Sequence, residues 1–521
     1  MFDKWLKLPA HHYLHLTALA LLIVGVSISN VIMSIGSIWL IANWLIEGQF
    51  NDKLNRFKKT KVLWAFIALF CFSAVTLIWS ENITYGVKDL RIKLPFLIIP
   101  FVIGTSKPIS KREFYWLIYA FLGSILITSA YNYIQYLTNI NSYQDIREMS
   151  HFISHVRYSI LINLGIFFTY YLFLKRKFNR IILLLLGLWF IFYLYKSQTI
   201  NGYGLFIILF ILSMVYWINQ FKNKLLKRGV FIGVLLTTVG LFSTFGYIWF
   251  WSPSEIEKVD VSKLELYTAN NNGYYHIKNS QIAEDGKLVY IYISEKECHK
   301  AWSKRSKMDF KGLDKKGQNL EGTLYRYMTS KALRKDSIGF LSLTDQDIRN
   351  VESGFPNYKI NAGLIEKIRD LKLQLHTFKA NGNPNGHSLI QRQIHLETGL
   401  DILKSHWLLG VGIGDVQSIF NKQYLINQTN LLPENQHRAH NQFLTIWISH
   451  GIIGLLLIVF IFIYPFLVNL TICDYLLCVV LLAFVFSFIW QDVLETQAGV
   501  TIFSLFYSLV VFKPSITNVK N

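Results

Sequence analysis

A chain of 521 residues that is 52% hydrophobic and only 16% charged is too apolar and too sparsely charged for a water-soluble protein of this size. In a soluble protein, a formal net charge of +20 would suggest nucleic-acid binding. Here most of the basic excess lies in short loops beside apolar segments, where it sets membrane topology. The composition therefore predicts a membrane protein surrounded by lipid and argues against nucleic acid as a partner.

Long apolar stretches follow one another along the chain. A stretch of about 18 or more nearly uncharged residues can cross a ~30 Å hydrocarbon core, and only as a helix if its backbone is to be satisfied in lipid. The sequence predicts an all-α polytopic membrane protein with about twelve such spans. They cover residues 14–29, 31–47, 62–79, 94–105, 113–136, 158–174, 181–196, 202–219, 229–251, 442–466, 468–490 and 499–512. The fourth is short, which suggests a broken or tilted helix.

Basic residues decide the predicted orientation. Lysines and arginines cluster in the loops at 53–61, 107–112, 175–180 and 222–228. The positive-inside rule assigns these loops to the cytoplasm, and with twelve spans both termini fall there too. The large loop is then periplasmic. The predicted organisation is an N-terminal membrane region at 1–251 with about nine spans, a loop domain at 252–440, and a C-terminal membrane region at 441–521 with about three spans.

The large loop is long enough to fold by itself and is expected to be mainly helical. Leu288–Ser294 alternates like a strand after a turn. Thr344 is predicted to cap a helix with an acidic first turn. Further helices are predicted at about 362–379 and 389–405, and the second carries Arg392 near its start. The four cysteines show no metal-binding spacing, and no metal or cofactor is predicted.

A polar cluster stands where the large loop ends and span ten begins. It contains His437, Arg438, His440 and Asn441. One explanation is an interfacial helix cap, in which Asn or His satisfies the free amides of the first turn. The other is a catalytic histidine at the membrane surface, because imidazole titrates near neutrality and can take a proton from a hydroxyl. The pattern leaves both explanations open.

A second group of residues places cations at the predicted outer surface. Arg91 and Lys93 lie there beside a span, and Arg157 lies at the start of span six next to His155. Cations on this side break the positive-inside rule locally. Their side chains could snorkel to lipid phosphates, or they could bind an anionic ligand.

The third candidate is a glycine-rich stretch between Trp407 and Asp415. Its spacing and surroundings do not fit a dinucleotide fingerprint. It is either a flexible turn or a place where backbone approaches a ligand, with Gly412 offering its amide to an anion. Asp415 is the one nearby acid, and its role is open, although a helix cap or turn residue is the simpler interpretation.

Together these residues resemble the O-antigen ligase family, which includes related polysaccharide polymerases. Members combine many spans with one long periplasmic loop. A His-Asn pair follows the loop, as in RAHNQFLTIWISHGIIG at 438–454. An arginine-bearing helix and a glycine stretch precede it, as in GHSLIQRQIHLETGLDILKSHWLLGVGIGDV at 386–416. An earlier outer arginine corresponds to Arg157. The resemblance covers most of the membrane region and the last ~55 residues of the loop.

The resemblance implies a GT-C-like fold in the inner membrane and a metal-independent, inverting glycosyltransferase. The donor would be a glycan on undecaprenyl pyrophosphate, and the acceptor a hydroxyl of lipid A–core or another glycan. His440 would be the base. The cations Arg157, Arg392, Arg91, Lys93 and Arg438 would bind the pyrophosphate, and His437, Asn441, Gly412 and Asp415 would support the site.

Several alternatives stay open at this stage. A polymerase of the same fold would add the donor glycan to another lipid-linked repeat, and a third variant would transfer it to protein hydroxyls. A lipid or glycan transporter belongs to a different class. A transporter needs ionisable groups near the bilayer midplane, and the predicted spans hold few, Asp474 being the main exception.

Overall fold

A computed structural model describes residues 8–139, 146–218, 263–277, 282–284, 286–315, 319–358, 388–468 and 474–513, with single positions between these ranges. The chain divides into two compact units. The first comprises Met1–Ile140, Ile146–Val234 and Gln391–Asn521, and the second comprises Asn141–Asp145 and Leu235–Ile390.

Among the described residues, the first unit opens with nine α-helices. They are α1 (Leu8–Ile28), α2 (Asn30–Glu47), α3 (Phe50–Lys59), α4 (Lys61–Val75), α5 (Ile83–Thr105), α6 (Lys111–Thr138), α7 (His155–Leu174), α8 (Arg180–Ser197) and α9 (Ile200–Ile218). Local capping defines several of their starts. Asn82 accepts a hydrogen bond from the Tyr85 amide at the start of α5, and Ser110 forms a capping box with Glu113 at the start of α6.

The second unit contains short elements around a small apolar core. They are the hairpin β1 (Ala283–Glu284) and β2 (Lys287–Leu288), then α10 (Glu295–Trp302), α11 (Leu320–Ser330), α12 (Ser337–Leu341) and α13 (Asp345–Glu352). Trp302, Phe310 and Phe340 are buried at its centre.

Two predictions for this unit have clear outcomes. The capping box of Thr344 with Asp347 confirms the predicted start of α13. The strand predicted at Leu288–Ser294 is wrong beyond Leu288. Ile293 makes only isolated bridges, to Tyr275 and Lys335, so the alternating pattern reflects burial and not a continuous ladder. The helix predicted at 362–379 lies outside the described residues, apart from two isolated positions.

The described residues of the last part of the chain contribute five α-helices. They are α14 (Ser388–His406), α15 (Val416–Ile426), α16 (Gln442–Val468), α17 (Tyr475–Trp490) and α18 (Gln497–Val511), with a 3-10 turn at Val493–Glu495. Residues 391–440, predicted as the end of the loop domain, belong to the first unit. The reason is a shared apolar core, in which Ile402 of α14 and Phe420 of α15 pack with Ile448 of α16.

Eight helices in the described part of the chain are long and apolar enough to cross a membrane. They are Ala10–Ile28, Asn30–Glu47, Lys61–Ile78, Lys111–Thr138, His155–Leu174, Arg180–Ser197, Ile200–Ile218 and Gln442–Val468. The helices Tyr475–Trp490 and Gln497–Val511 are shorter but also apolar. Each coincides with a predicted span, and the mostly helical architecture is therefore confirmed.

The two other predicted spans have different outcomes. The span at 94–105 is the second half of α5, which contains Pro95 and Pro100 and begins with a charged half. The span at 229–251 lies largely outside the described residues. A total of about twelve spans stays a prediction.

Candidate active site

His440 and Asn441 have different conformations and contacts at the start of α16. The Asn441 Oδ1 accepts a hydrogen bond of 3.0 Å from the Leu444 amide, so Asn441 is the helix cap. His440 has a φ of 49°, in the left-handed region that non-glycine residues rarely occupy. Its backbone amide donates to the Asp492 carboxylate, which stabilises this turn. The helix-cap explanation left open by the sequence thus applies to Asn441.

Three imidazole rings meet beside this turn. The ring centroids of His395 and His440 lie 5.4 Å apart. Those of His395 and His437 lie 5.8 Å apart, and those of His437 and His440 lie 5.9 Å apart. His395 comes from α14, where sequence reasoning singled out only Arg392. The sequence could have indicated His395 because it follows Arg392 by three residues, and residues three apart share one face of a helix.

Burial keeps two of these histidines neutral. Burial, with the nearby His395, Arg392 and His437, lowers the pKa of His440 to about 4. Burial is also the main cause that lowers the pKa of His395 to about 4, and His437 and Arg392 add to it against the opposing hydrogen bond to Asn435. At neutral pH both rings are therefore unprotonated and can accept a proton.

His395 has one ring nitrogen engaged and one unused. Its Nε2 lies 2.9 Å from the Asn435 carbonyl oxygen, so Nε2 must carry the hydrogen. The Nδ1 is then an acceptor. It is buried and makes no hydrogen bond to the described residues. Buried polar atoms are nearly always satisfied, so this nitrogen is suited to receive a hydrogen bond from a ligand.

Two predicted cations lie at this site, Arg392 near the histidines and Arg157 near Asp492. Arg392 is half-buried on α14 and close enough to lower the pKa values of both His395 and His440. Arg157, at the start of α7, interacts electrostatically with Asp492. Its Nε is buried without a hydrogen-bond partner among the described residues. Asp492 thus connects Arg157 with the turn at His440.

In the structure, carboxylates balance the charges of Lys93 and Arg438, which the sequence assigned to the donor pyrophosphate. Arg438 donates to Glu495 at 2.6 Å and to the Tyr85 hydroxyl at 2.5 Å. Lys93 lies 2.7 Å from Asp89 and 3.4 Å from Glu495. Both cations are largely buried, and a buried charge requires a partner.

Arg91 does not join this cluster. It is exposed on α5, and it follows the buried Asp89 by two residues. Residues two apart on a helix point in different directions. Lys93, which is four residues after Asp89, shares the buried face instead.

Sequence reasoning missed the acids at this end of the helices. Asp492 and Glu495 stand between α17 and α18, where no acidic cluster was recognised. Burial raises the pKa of Asp492 to about 6, although the Thr445 hydroxyl donates to it at 2.7 Å. Burial also opposes ionisation of Glu495, but Lys93 and Arg438 outweigh it and lower its pKa to about 2. The sequence could have indicated this site by the two acids in the short connection between the predicted spans 468–490 and 499–512.

The glycine stretch and Asp415 have structural contacts. The Gly412 amide donates to the Ser449 carbonyl at 3.0 Å, so it is not open to an anion, contrary to one sequence expectation. A Cβ at Gly412 would lie 2.2 Å from the Ser80 Oγ, so only glycine fits. The Asp415 carboxylate accepts hydrogen bonds from the backbone amides of Glu81 and Asn82 at 2.7 and 3.0 Å, just before α5.

The chemistry of this site is that of neutral imidazoles beside arginines. Such a site can remove a proton from a hydroxyl and stabilise negative charge on a leaving group. In the described part of the chain, no group of three or more His, Cys, Asp or Glu is arranged to hold a metal ion.

Part of this site lies in a region that matches a known family. Residues 362–459 match the family model described as O-antigen ligase. A comparison with curated proteins gives no match. The matched region contains Arg392, the three clustered histidines, Arg438 and the first part of α16. The resemblance to the O-antigen ligase family predicted from the sequence is therefore confirmed for the region 362–459.

Proposed function

We propose that this protein transfers an oligo- or polysaccharide from undecaprenyl pyrophosphate to an acceptor hydroxyl at the periplasmic face of the inner membrane. The proposed acceptor is lipid A–core, which makes the protein an O-antigen ligase. The proposed enzyme is a metal-independent, inverting glycosyltransferase with a GT-C-like fold of about twelve spans. Both termini are cytoplasmic in this proposal, and the large loop is periplasmic.

One observation carries the proposal: a neutral His440 lies beside Arg392 within the region that matches the ligase family. A base must be unprotonated to act, and burial keeps this imidazole so at neutral pH. A lipid-linked pyrophosphate presents its charge at the membrane surface. Arginine suits that group because its planar fork can donate two hydrogen bonds at once.

The proposed reaction is a single displacement. His440 takes the proton of the acceptor hydroxyl, and the hydroxyl oxygen forms a bond to the anomeric carbon. The bond from that carbon to the pyrophosphate oxygen breaks, and the electron pair leaves with the phosphate. Arg392 and Arg157 stabilise the growing negative charge. Attack opposite the leaving group inverts the anomeric centre.

Donor binding also makes His440 a better base. In the free protein, Arg392 helps to lower the His440 pKa. A bound pyrophosphate would neutralise that cation and raise the pKa towards the operating pH, where general bases are most effective. The donor would thus activate the residue that later accepts the proton.

The remaining predicted cations take different parts in this proposal. Lys93 and Arg438 both form ion pairs with Glu495. We therefore propose that they stabilise the structure of the site and do not bind the donor directly. Arg157 retains an unpartnered buried Nε and is the better candidate for a phosphate contact. Exposed Arg91 is the weakest candidate.

Alanine variants of His440 and His437 test the base assignment. Purified protein in bilayers would receive lipid-linked glycan and lipid A–core, and transferred glycan would be measured. His440→Ala should reduce the rate by about 10²- to 10⁴-fold. His437→Ala is the matched control, because this ring is exposed, and it should retain most activity. Full activity in a folded His440→Ala protein would remove the base assignment.

The same assay separates the alternative acceptors. A polymerase would extend a second lipid-linked repeat and ignore lipid A–core, whereas a ligase would do the reverse. Transfer to a protein hydroxyl would appear only when a protein acceptor is added. A transporter would move lipid-linked glycan across the bilayer without forming a new glycosidic bond.

A further inference from the structure

Helix α16 is broken inside the apolar part of the bundle. Gly451 has a φ of 64° and a ψ of −164°, which interrupts the candidate span Gln442–Val468. The neighbouring His450 Nε2 lies 2.6 Å from the Ser73 Oγ, within the candidate span Lys61–Ile78. At 1.5 Å per residue, the break lies roughly 8–15 Å along these helices from their nearer ends.

The segment Trp407–Gly414 reaches this break. The Ile452 amide donates to the Trp407 carbonyl at 2.9 Å. In return the Val411 amide donates to the Ile448 carbonyl at 2.8 Å. These bonds join an irregular segment to the exposed backbone groups of the broken helix.

Further contacts pair two more amides of the irregular backbone. The Ile413 amide donates to the Thr76 hydroxyl, and the Gly414 amide donates to the Ser80 hydroxyl. Irregular backbone is tolerated at membrane depth only where its polar groups are paired in this way. The segment therefore meets the condition for a stable position inside the membrane.

Glycines permit the close approach of the two backbones. A Cβ at Gly410 would lie 2.6 Å from the Gly451 nitrogen, and a Cβ at Gly451 would lie 2.0 Å from the Leu408 oxygen. Both glycines also have positive φ values. Two backbones in direct contact, with no side chain between them, form a rigid junction.

The side chains of the segment divide into two sets. Val411 and Ile413 are buried, with 8% and 1% of their surface exposed. Trp407, Leu408 and Leu409 are exposed at 52%, 50% and 53%. Three consecutive exposed apolar side chains would be unfavourable in water. At the level of the α16 break, their surroundings would be hydrocarbon.

We propose that Trp407–Gly414 is a re-entrant segment whose Trp407, Leu408 and Leu409 side chains contact the acyl chains of the outer leaflet. The partner is the lipid itself. The contact would fix the C-terminal end of α14 in the membrane and leave the Arg392 end nearer the surface, up to ~22 Å away along the helix. This inference does not depend on the reaction proposed above.

Spin labels at three positions test the proposal in the full-length protein. Each label is attached to a single cysteine in a cysteine-free background, and the protein is reconstituted in phosphatidylcholine bilayers. The test position is Leu408. Leu456 is the lipid reference, because it is 61% exposed within the α16 span. Gln393 is the control near the other end of α14, where it is exposed.

Collision rates with oxygen, which enters lipid, and with a nickel chelate, which stays in water, distinguish the environments. We expect a label at 408 to behave like the one at 456, with frequent oxygen and rare nickel collisions, and a label at 393 to show the opposite. Nickel collisions at 408 equal to those at 393 would overturn the proposal, as would low rates for both reagents. A label at 409 repeats the test if Leu408→Cys fails to fold.

Discussion

At the scale of single residues, burial determines how the titratable groups of the site behave. His440 and His395 lose their positive charge because burial disfavours the protonated ring. Glu495 keeps its negative charge because two cations contact it. Burial therefore produces the neutral bases, whereas the two cations keep Glu495 charged against the opposing effect of burial.

The low pKa of His440 leads to a pH prediction. An ordinary histidine would lose half of its activity as base near pH 6.5. Because the His440 pKa is lowered to about 4, protonation of His440 should reduce kcat/KM, which reports the free enzyme, only as the pH approaches that value. The acid limb of kcat should lie at a higher pH than that of kcat/KM, because bound pyrophosphate neutralises Arg392 and so raises the pKa of His440. Rates of glycan transfer between pH 4 and 8 measure both limbs.

Asp492 provides the control for that experiment. Its raised pKa of about 6 predicts a separate limb when it becomes protonated. That limb should disappear in Asp492→Asn, whereas the His440 limb should remain. Acid limbs that stay near pH 6.5 in both kcat/KM and kcat of the Asp492→Asn variant would contradict the role assigned to burial.

Glu495→Gln tests the buried ion pairs. The change removes the carboxylate that pairs with both Lys93 and Arg438. Loss of one partner from a buried pair typically costs about 3–5 kcal/mol, because the remaining charge is uncompensated. We expect a clear fall in Tm, measured by thermal unfolding in detergent. Glu81→Gln is the matched control, because the Glu81 side chain is 84% exposed and should leave Tm nearly unchanged.

At the scale of elements, the broken helix α16 organises the site. Its first half, capped by Asn441, follows directly after His440. The break at Gly451 accepts the segment that links α14 to α15. The backbone contacts between Trp407–Gly414 and α16 at Gly451 therefore help to hold α14, with Arg392 and His395, near His440.

Glycine-to-alanine variants test this junction. Gly451→Ala should be strongly destabilising, because a left-handed backbone costs about 1–2 kcal/mol before any clash, and the new Cβ would meet the Leu408 oxygen at 2.0 Å. Gly123→Ala in α6 is the control, since its Cβ would meet nothing within 4 Å. It should keep or slightly raise Tm, because alanine favours a helix. Equal effects of the two changes would mean that the close approach at Gly451 is absent in solution.

At the scale of the whole molecule, the orientation in the membrane is the prediction with the widest consequences. A single cysteine replacing Lys300, which is exposed on α10, should react with a membrane-impermeant reagent from the periplasm. A cysteine replacing Lys59, exposed at the end of α3, should be protected until the cytoplasmic side is opened. Reversed labelling would invert the scheme and place His440 in the cytoplasm.

The sequence alone determined the helical spans, because hydrophobic length is a local property that each segment satisfies by itself in lipid. It also identified the ligase resemblance, since the motifs around Arg392 and His440 are contiguous. Only the tertiary structure decided which charges meet. Lys93, Arg438 and Glu495 come from distant segments, and no local pattern records their pairing. The third imidazole, His395, and the neutral state of His440 likewise depend on burial, which arises only when the helices pack.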